Sequence, residues 1–197
     1  MKKIPTLFER DWNGDRSRVL DKPHKDCGWV FAGEGIATIK LDGTACRVLD
    51  GKLYKRRELK PTDNAPEYFY FADKDLETGK IVGWMPISDG PEDRWHREAF
   101  AAMTNPADGT YELVGPKIQG NPEKRPQHEL IRHGDIVCGP VPRTFNELKE
   151  WLTGKDLEGI VFHHPDGRMA KIKLRDFGLK RQPPSVQRAS NTTTADQ

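Results

Sequence analysis

The sequence feature that most constrains the fold is an Asp50-Gly51 pair between two short runs of strand-forming residues. The first run is Thr44 to Leu49, and the second is Lys52 to Arg56. Asp-Gly is a strong signal for a two-residue hairpin turn, because both turn residues adopt positive φ angles. This region therefore predicts two adjacent antiparallel strands.

Other short segments have the composition of strands or the boundary signals of helices. Pro91 follows a glycine where a helix can begin, and Thr144 starts a Thr-Phe-Asn-Glu capping box before a helix that Gly154 ends. Further strands are predicted at residues 36–40, 68–71, 111–114, 135–137, 159–162 and 169–174. Together these elements predict an α+β fold of mainly antiparallel sheets with flanking helices.

The length and composition predict one globular domain followed by a polar tail. The chain has 197 residues, a formal net charge of +2 and a hydrophobic fraction of 35%, which are values typical of a domain with a substantial core. From residue 182 onward the sequence is polar and has no apolar periodicity. We therefore predict a domain at 1–181 and a flexible tail at 182–197.

The composition disfavours membrane and secreted classes of protein. No apolar run approaches the roughly 20 residues that span a bilayer, and no apolar segment follows Lys2 and Lys3 as a secretory signal would require. The three cysteines include no Cys-x-x-Cys pair, which disfavours a disulfide scaffold and a Cys₄ zinc site. We therefore expect a cytoplasmic protein that is monomeric by default and has no membrane partner.

Four short motifs with catalytic residue types occur in a fixed order. Lys40-Leu41-Asp42-Gly43 ends a predicted strand, so its lysine lies on a rigid backbone before a sharp turn. Glu112 lies in a strand opposite two apolar neighbours, and Glu158 precedes a very apolar strand. In Lys171-Ile172-Lys173 both ammonium groups face one side, where a bound anion would relieve their repulsion. Each motif alone also fits an ordinary solvated strand end.

In combination, the four motifs resemble the ordered set of the covalent nucleotidyltransferases, which include ATP-dependent DNA and RNA ligases and mRNA capping enzymes. Longer runs are similar to the small 5′–3′ RNA ligases related to vertebrate RNA ligase 1. These runs are residues 40–44, 109–122, 131–134, 158–173 and 175–178. The resemblance spans about residues 4–180 of the chain.

The resemblance implies an ATP-grasp-like nucleotidyltransferase domain of the ligase type. Two departures from the wider superfamily disfavour a DNA ligase or a capping enzyme. Ala45 stands where DNA ligases typically have an arginine, and we expect no OB domain because the chain ends soon after Lys173. The implied protein is an RNA ligase reduced to its nucleotidyltransferase domain.

The resemblance also implies a role for each motif. Lys40 would attack the α-phosphate of ATP, Glu112 would hold ribose hydroxyls, and Asp42 with Glu158 would bind Mg²⁺ or Mn²⁺. Because side chains alternate along a strand, only one of Arg56 and Arg57 can face the pocket, and we favour Arg56 as a phosphate ligand. The implied catalytic residues are Lys40, Asp42, Glu158, Lys171 and Lys173. The implied nucleotide-binding residues are Ile39, Lys40, Gly43, Arg56, Glu112, Lys171 and Lys173.

A lysine nucleophile needs a special environment. An ordinary lysine has a pKa of about 10.4, so nearby cations and partial burial must disfavour the ammonium form. Lys171, Lys173 and a divalent metal are the candidate cations, and they would also offset charge on the reacting phosphates. The AMP would then pass from the enzyme to an RNA 5′-phosphate, and a 3′-hydroxyl would displace it.

RNA with a 5′-phosphate and a 3′-hydroxyl is thus the implied partner, although the net charge gives no sign of it. The positive charge is local, since residues 168–181 contain six Lys or Arg and one Asp. The candidate RNA contacts are Arg168, Arg175, Lys180 and Arg181, and a solvated basic surface is an equal alternative for Arg175, Lys180 and Arg181. Two other functions stay open, namely adenylation of a non-RNA acceptor and RNA-end binding by a catalytically degenerate relative.

Overall fold

The computed structural model describes residues 3–76 and 78–182. Within these residues the chain forms eleven β-strands and three α-helices. Strand pairs within each sheet are antiparallel, so the predicted α+β class with antiparallel sheets is confirmed. The predicted tail begins at Gln182, and its residues 183–197 lie outside the described part of the chain.

The strands form three sheets. Their bounds are β1 Phe8–Arg10, β2 Val19–Pro23, β3 Ile36–Lys40, β4 Thr44–Leu49, β5 Lys52–Leu59, β6 Tyr70–Lys74, β7 Ile81–Pro86, β8 Gly109–Val114, β9 Glu129–Arg132, β10 Gly159–His163 and β11 Met169–Lys173. Strands β1 and β2 form a small separate sheet. The other two sheets have the orders β11-β10-β3 and β6-β7-β5-β4-β8-β9.

The helices are short. Their bounds are α1 Gly28–Phe31, α2 Arg94–Ala101 and α3 Phe145–Leu152, with 3₁₀ turns at Lys25–Cys27, Pro91–Asp93 and Leu174–Phe177. None of the described helices is long and apolar enough to cross a membrane.

The three-stranded sheet buries one face against α3. Because side chains alternate along a strand, Ile160 and Phe162 of β10 point to this face and pack in one core with Leu148 and Leu152 of α3. The intervening residues of the sheet, such as Val161, point to the opposite face. That opposite face carries the lysines of the sheet.

The six-stranded sheet has a second core against α2. Cys46 and Val48 of β4 and Leu113 of β8 are buried there, together with Ala99 of α2. Trp95 of the same helix packs against this group. Each large sheet thus has one face in its own core, which leaves the other faces available for a site between the sheets.

The predicted hairpin is confirmed. Asp50 and Gly51 adopt φ angles of 49° and 67°, as the two turn residues of this hairpin type require. Strand β4 has the predicted bounds, and β5 pairs with it in antiparallel register but continues to Leu59, beyond the predicted end at Arg56.

Two of the predicted strands are wrong in position. The segment predicted at 68–71 forms a strand only from Tyr70 onward. Tyr68 has a φ angle of 62°, whereas residues in β-strands have negative φ angles. Residues 135–137 contribute a single bridge between Val137 and Thr38. The strand that pairs with β8 is β9, which was not predicted.

The predicted capping box is also different in detail. Thr144 is the N-cap of α3, but its side chain makes no cap bond to the backbone. Its hydroxyl instead donates to Glu147 Oε2 over 2.6 Å. The motif therefore located the start of the helix correctly although its two side chains bond to each other.

Candidate active site

A cavity of about 200 Å³ lies between the three-stranded and the six-stranded sheets. Six of the predicted site residues line it, namely Ile39, Lys40, Arg56, Glu112, Lys171 and Lys173. The other three adjoin these residues: Asp42 and Gly43 follow Lys40 in the chain, and Glu158 bonds to Lys40. The fold therefore brings together residues that are up to about 130 positions apart in the sequence.

The segment Leu41-Asp42-Gly43 carries the chain from β3 in one large sheet to β4 in the other. The backbone N–H of Gly43 donates to Glu112 Oε1 over 3.1 Å. A Cβ atom on Gly43 would lie 2.2 Å from the carbonyl oxygen of Leu113. Glycine is thus required here because any side chain would push the lysine-bearing segment away from β8.

Strand register aligns the two lysines that bind Glu158. Gly159 of β10 lies opposite Lys40 of β3 on one side and opposite Lys173 of β11 on the other. Neighbouring strands are about 4.8 Å apart, so the backbones of these lysines are about 10 Å apart and their side chains can converge. Lys40 Nζ donates to Glu158 Oε2 over 2.5 Å, and Lys173 Nζ donates to Glu158 Oε1.

The charges around Glu158 shift the pKa values of both predicted metal ligands. Burial opposes ionisation of Glu158, but the attraction of Lys40 and Lys173 outweighs burial and lowers the pKa of this carboxyl. Burial and the negative charge of Glu158 raise the pKa of Asp42. The two carboxylates therefore repel each other, and a bound divalent cation would remove this repulsion.

Asp42 and Glu158 fit a magnesium site that is completed by a substrate. Mg²⁺ typically takes one or two carboxylates together with substrate phosphates and water. Within residues 3–76 and 78–182 there is no group of three or more His, Cys, Asp or Glu that could hold a metal by itself. A metal here would therefore depend on the phosphates of a bound nucleotide.

Lys171 supplies positive charge to the cavity and forms no ion pair within the described residues. Burial, followed by the charges of Lys173, Lys40 and Arg56, lowers the pKa of Lys171 to about 8. In the described part of the chain its ammonium group has no hydrogen-bond acceptor, whereas Lys40 and Lys173 both bond to Glu158. A bound anion would thus be stabilised most directly by Lys171.

Strand β5 places Arg56 rather than Arg57 at the cavity. Arg56 lines the cavity, and Arg57 is exposed. Lys55 points to the same side as Arg57, where its ammonium group lies 2.7 Å from the buried carboxylate of Asp93. The alternation of the strand therefore separates a cavity-facing arginine from a structural lysine.

His133 is a site residue that the four motifs do not reveal. Its Nε2 lies 2.7 Å from Glu112 Oε2, and Gly43 occupies the other carboxylate oxygen. Glu112 is only 8% exposed, so these two partners compensate a buried charge. The available signal was the run Ile131 to Gly134, which resembles the RNA ligases but contains no catalytic motif.

Glu123 is a second residue that the motifs do not reveal. Its Oε1 accepts hydrogen bonds from the backbone N–H of Asp42 over 3.0 Å and from Arg181 over 3.0 Å. The same arginine donates to Asp156 Oδ1 over 2.6 Å. An ion-pair network thus holds the loop that follows Lys40 against the end of the described chain.

The four predicted RNA contacts have different surroundings in the structure. Arg181 is committed to the ion pairs with Glu123 and Asp156, so its guanidinium group acts within the protein. Arg168 is half-exposed and pairs with Asp166, and Lys180 and Arg175 are exposed. Of the four, only Arg175 lines a cavity together with the predicted catalytic residues Lys171 and Lys173.

The sequence is similar to that of known proteins. A family model described as RNA ligase 1 matches residues 99–194. Over 219 aligned positions the chain is 27% identical to RNA ligase 1 of Pongo abelii and 26% identical to that of Rattus norvegicus, with 73% of this chain and 67% of each relative covered. The chain is therefore related to RNA ligase 1.

This similarity confirms the predicted resemblance to RNA ligase 1. An alignment with RNA ligase 1 of Danio rerio gives 28% identity over 139 positions, with 53% of this chain and 42% of the relative covered. The family match includes Glu112, Glu158, Lys171 and Lys173, and Lys40 lies before it. The ATP-grasp-like fold and the roles of individual residues stay predictions.

Proposed function

We propose that the protein is an ATP-dependent RNA ligase that acts through a covalent lysyl-AMP on Lys40. The observation that carries this proposal is the convergence of Lys40, Lys173 and Glu158 beside a cavity that also contains Lys171. The relationship to RNA ligase 1 supports both the ligase chemistry and RNA as the substrate class.

In the first step, Nζ of Lys40 attacks the α-phosphorus of ATP. Nζ loses one proton before the attack and a second as the P–N bond forms, and both pass to solvent. The bond from the α-phosphorus to its bridging oxygen breaks, and pyrophosphate leaves. Lys171 and Lys173 stabilise the negative charge that develops on the phosphates.

In the next two steps, AMP moves to RNA and then leaves. A 5′-phosphate oxygen of RNA attacks the phosphorus of lysyl-AMP, which breaks the P–N bond, returns a proton to Lys40 and forms a 5′–5′ pyrophosphate link. An RNA 3′-hydroxyl then attacks the 5′-phosphorus, loses its proton, forms the 3′–5′ phosphodiester and releases AMP.

The remaining residues orient the nucleotide. Glu112 keeps a lone pair on each oxygen after bonding Gly43 and His133, so it can still accept ribose hydroxyls. Ile39 lines the cavity beside the nucleophile, and Arg56 is a bidentate donor for phosphate. When Mg²⁺ or Mn²⁺ is held by Asp42 and Glu158, it supplies additional positive charge for the phosphates.

Covalent labelling tests the first step. The protein is incubated with Mg²⁺ and ATP labelled on the α-phosphate, then denatured and examined for retained label. We expect wild type and Lys149→Ala to retain label and Lys40→Ala to retain none, because Lys149 is exposed on α3, whose core face packs on the far side of the three-stranded sheet. Equal labelling of Lys40→Ala would contradict the proposal.

Addition of RNA then tests the acceptor. We expect labelled enzyme to transfer AMP to RNA with a 5′-phosphate and to seal it to a 3′-hydroxyl end. Adenylation without any RNA product would favour the self-adenylating alternative with another acceptor. Sealing of DNA alone, or labelling by GTP in place of ATP, would contradict the assignment.

A further inference from the structure

A second and larger cavity adjoins the nucleotide cavity. It has a volume of about 520 Å³ and shares Ile4, Lys171 and Lys173 with the first cavity. The segment that precedes β1 forms one wall: Leu7 donates its N–H to the Lys171 carbonyl over 2.8 Å, and Lys171 donates to the Pro5 carbonyl over 2.9 Å. Lys171 thus lies where the two cavities meet.

The wall of this second cavity carries cations that form no ion pair with a carboxylate in the described part of the chain. Within residues 3–76 and 78–182, four of its basic residues form no ion pair: Lys25, Lys74, Lys171 and Arg175. Its other basic residues differ, since Arg10 pairs with the buried Asp176 and Lys173 pairs with Glu158.

The carboxylates of the same wall are engaged with neighbours. Asp73 accepts the backbone N–H of Lys3 over 2.8 Å, and the ammonium group of Lys3 bonds to Asp75 over 2.8 Å. Glu9 pairs with Lys22 over 2.8 Å. The remaining carboxylate, Asp26, adjoins His24 at the exposed rim. The wall has seven Lys or Arg and four Asp or Glu, so the cavity has an excess of positive charge, which favours a ligand with several negative charges.

An exposed aromatic ring completes the cavity wall. Trp12 lines the cavity and is 50% exposed, although a tryptophan in a protein of this size usually buries most of its surface. Single-stranded nucleic acids bind where a basic groove follows the phosphates and aromatic rings stack on the bases. The volume is also within the range of cavities that hold a ligand of nucleotide size.

We propose that the second cavity binds the 5′-terminal nucleotides of the phosphorylated RNA. The terminal phosphate lies at Lys171 and Lys173, next to the adenylated Lys40, and a following phosphate is held by Lys25, Lys74 and Arg175. A base of this segment stacks on Trp12. This inference rests on the proposed RNA ligase function and assigns the acceptor strand to a site on the N-terminal side of the fold.

The β- and γ-phosphates of ATP are the other source of negative charge for these cations. They would place phosphate near Lys171 but no base near Trp12, which lies in the wall of the second cavity alone. The two sources differ in the step that they affect, because ATP acts in lysyl-AMP formation and RNA acts in AMP transfer.

The test measures these two steps separately in one set of variants. Lys25→Ala/Lys74→Ala and Trp12→Ala are compared with Lys149→Ala as a matched control on the far side of the three-stranded sheet. Lysyl-AMP formation is followed at limiting ATP, and AMP transfer is followed in a single turnover from purified lysyl-AMP protein to a short 5′-phosphorylated RNA. Thermal melts establish that each variant is folded.

We expect both cavity variants to form lysyl-AMP at the wild-type rate and to lose about tenfold or more in AMP transfer at limiting RNA. The double lysine variant should also lower the salt dependence of RNA binding by about two units in the log–log slope. The control should match wild type in both steps.

Two results would overturn this inference. Unchanged AMP transfer in both variants would show that RNA binds elsewhere, and slower lysyl-AMP formation with unchanged transfer would assign the cavity to the ATP phosphates. Absence of lysyl-AMP in wild type would instead contradict the proposed function. Binding of a fluorescent 5′-phosphorylated RNA to the unmodified protein then tests the cavity independently.

Discussion

At the scale of single residues, the site depends on buried charges whose partners come from distant strands. Glu112 bonds to the N–H of Gly43 and to His133, so one carboxylate links the segment after Lys40 to the end of β9. Removal of one partner of a buried carboxylate costs about 1–3 kcal/mol. His133 therefore acts as a positioning residue for Glu112.

Replacement of His133 tests this role. We expect His133→Ala to slow lysyl-AMP formation by about tenfold, because a loss of about 1.4 kcal/mol in a buried hydrogen bond changes an equilibrium by that factor. His133→Gln should recover most of the rate, since its amide can donate to Glu112 Oε2. Equal defects in the alanine and glutamine variants would contradict a hydrogen-bonding role.

The buried positive charge of Lys171 should lower the free energy of unfolding, although the proposed chemistry needs this charge. Its folded-state pKa of about 8 is below its ordinary value of 10.5, so the penalty for charging it is fully present below about pH 8. As the pH rises from about 8 toward 10.5, the folded protein has lost this proton while the unfolded chain keeps it, and the folded state gains stability.

We therefore expect Lys171→Met to raise the free energy of unfolding at pH 7 by about 1–3 kcal/mol and to reduce lysyl-AMP formation. The stability advantage should shrink between pH 7 and pH 9. Denaturant unfolding of wild type, Lys171→Met and the exposed control Lys149→Met at both pH values measures it. An advantage that does not change with pH would contradict the titration of Lys171.

At the scale of elements, local sequence patterns predicted turns and helix starts but not which strands pair. The hairpin at Asp50-Gly51 and the start of α3 follow from turn and capping chemistry within a few residues. The late start of β6 follows from the positive φ of Tyr68, which the strand-forming composition of that segment does not reveal. The false strand at residues 135–137 depends on which strand is available as a neighbour. Pairing of this kind is decided by tertiary contacts that strand propensity does not encode.

The close approach of β10 and β11 gives an element-scale prediction. A Cβ atom on Gly159 would lie 2.3 Å from the Ile172 carbonyl oxygen and 2.7 Å from Lys173 Cα. Gly159→Ala should therefore destabilise the protein by about 1–3 kcal/mol through overpacking and should also slow lysyl-AMP formation. Gly139 is the matched control, because a Cβ there meets nothing within 4 Å. Similar unfolding curves for both variants would contradict this expectation.

At the scale of the whole molecule, the motifs predicted the residues that line the site. They did not predict the residues that hold these in place through hydrogen bonds. Lys40, Glu112, Glu158, Lys171 and Lys173 were found because each lies in a short recognisable motif. Glu123 and His133 carry no such pattern, since their roles arise from bonds to residues 81 and 21 positions away. For the same reason, the pairing of Arg181 with Glu123 was not predictable from its place in a basic segment.

This pairing predicts a long-range effect of Arg181. Arg181→Ala leaves Glu123 without its guanidinium partner and loosens the Asp42 backbone that Glu123 holds. We expect lysyl-AMP formation to slow by about tenfold, since charge-assisted bonds contribute about 1.5–3 kcal/mol. Arg16→Ala, a change at an exposed arginine, should leave the rate unchanged. A normal rate of adenylation in Arg181→Ala with weakened RNA binding would restore the RNA-contact interpretation.

The alignment of Lys40, Gly159 and Lys173 across three strands has a consequence for how folding can be monitored. A slip of one residue in either strand pair would turn the side chains of that strand to the opposite face. The same slip would expose core residues such as Ile160 and remove a lysine from Glu158. Under the proposed chemistry, retained label from ATP would therefore count the molecules whose strands are in register. Labelling during refolding would then report the moment at which this sheet is correctly assembled.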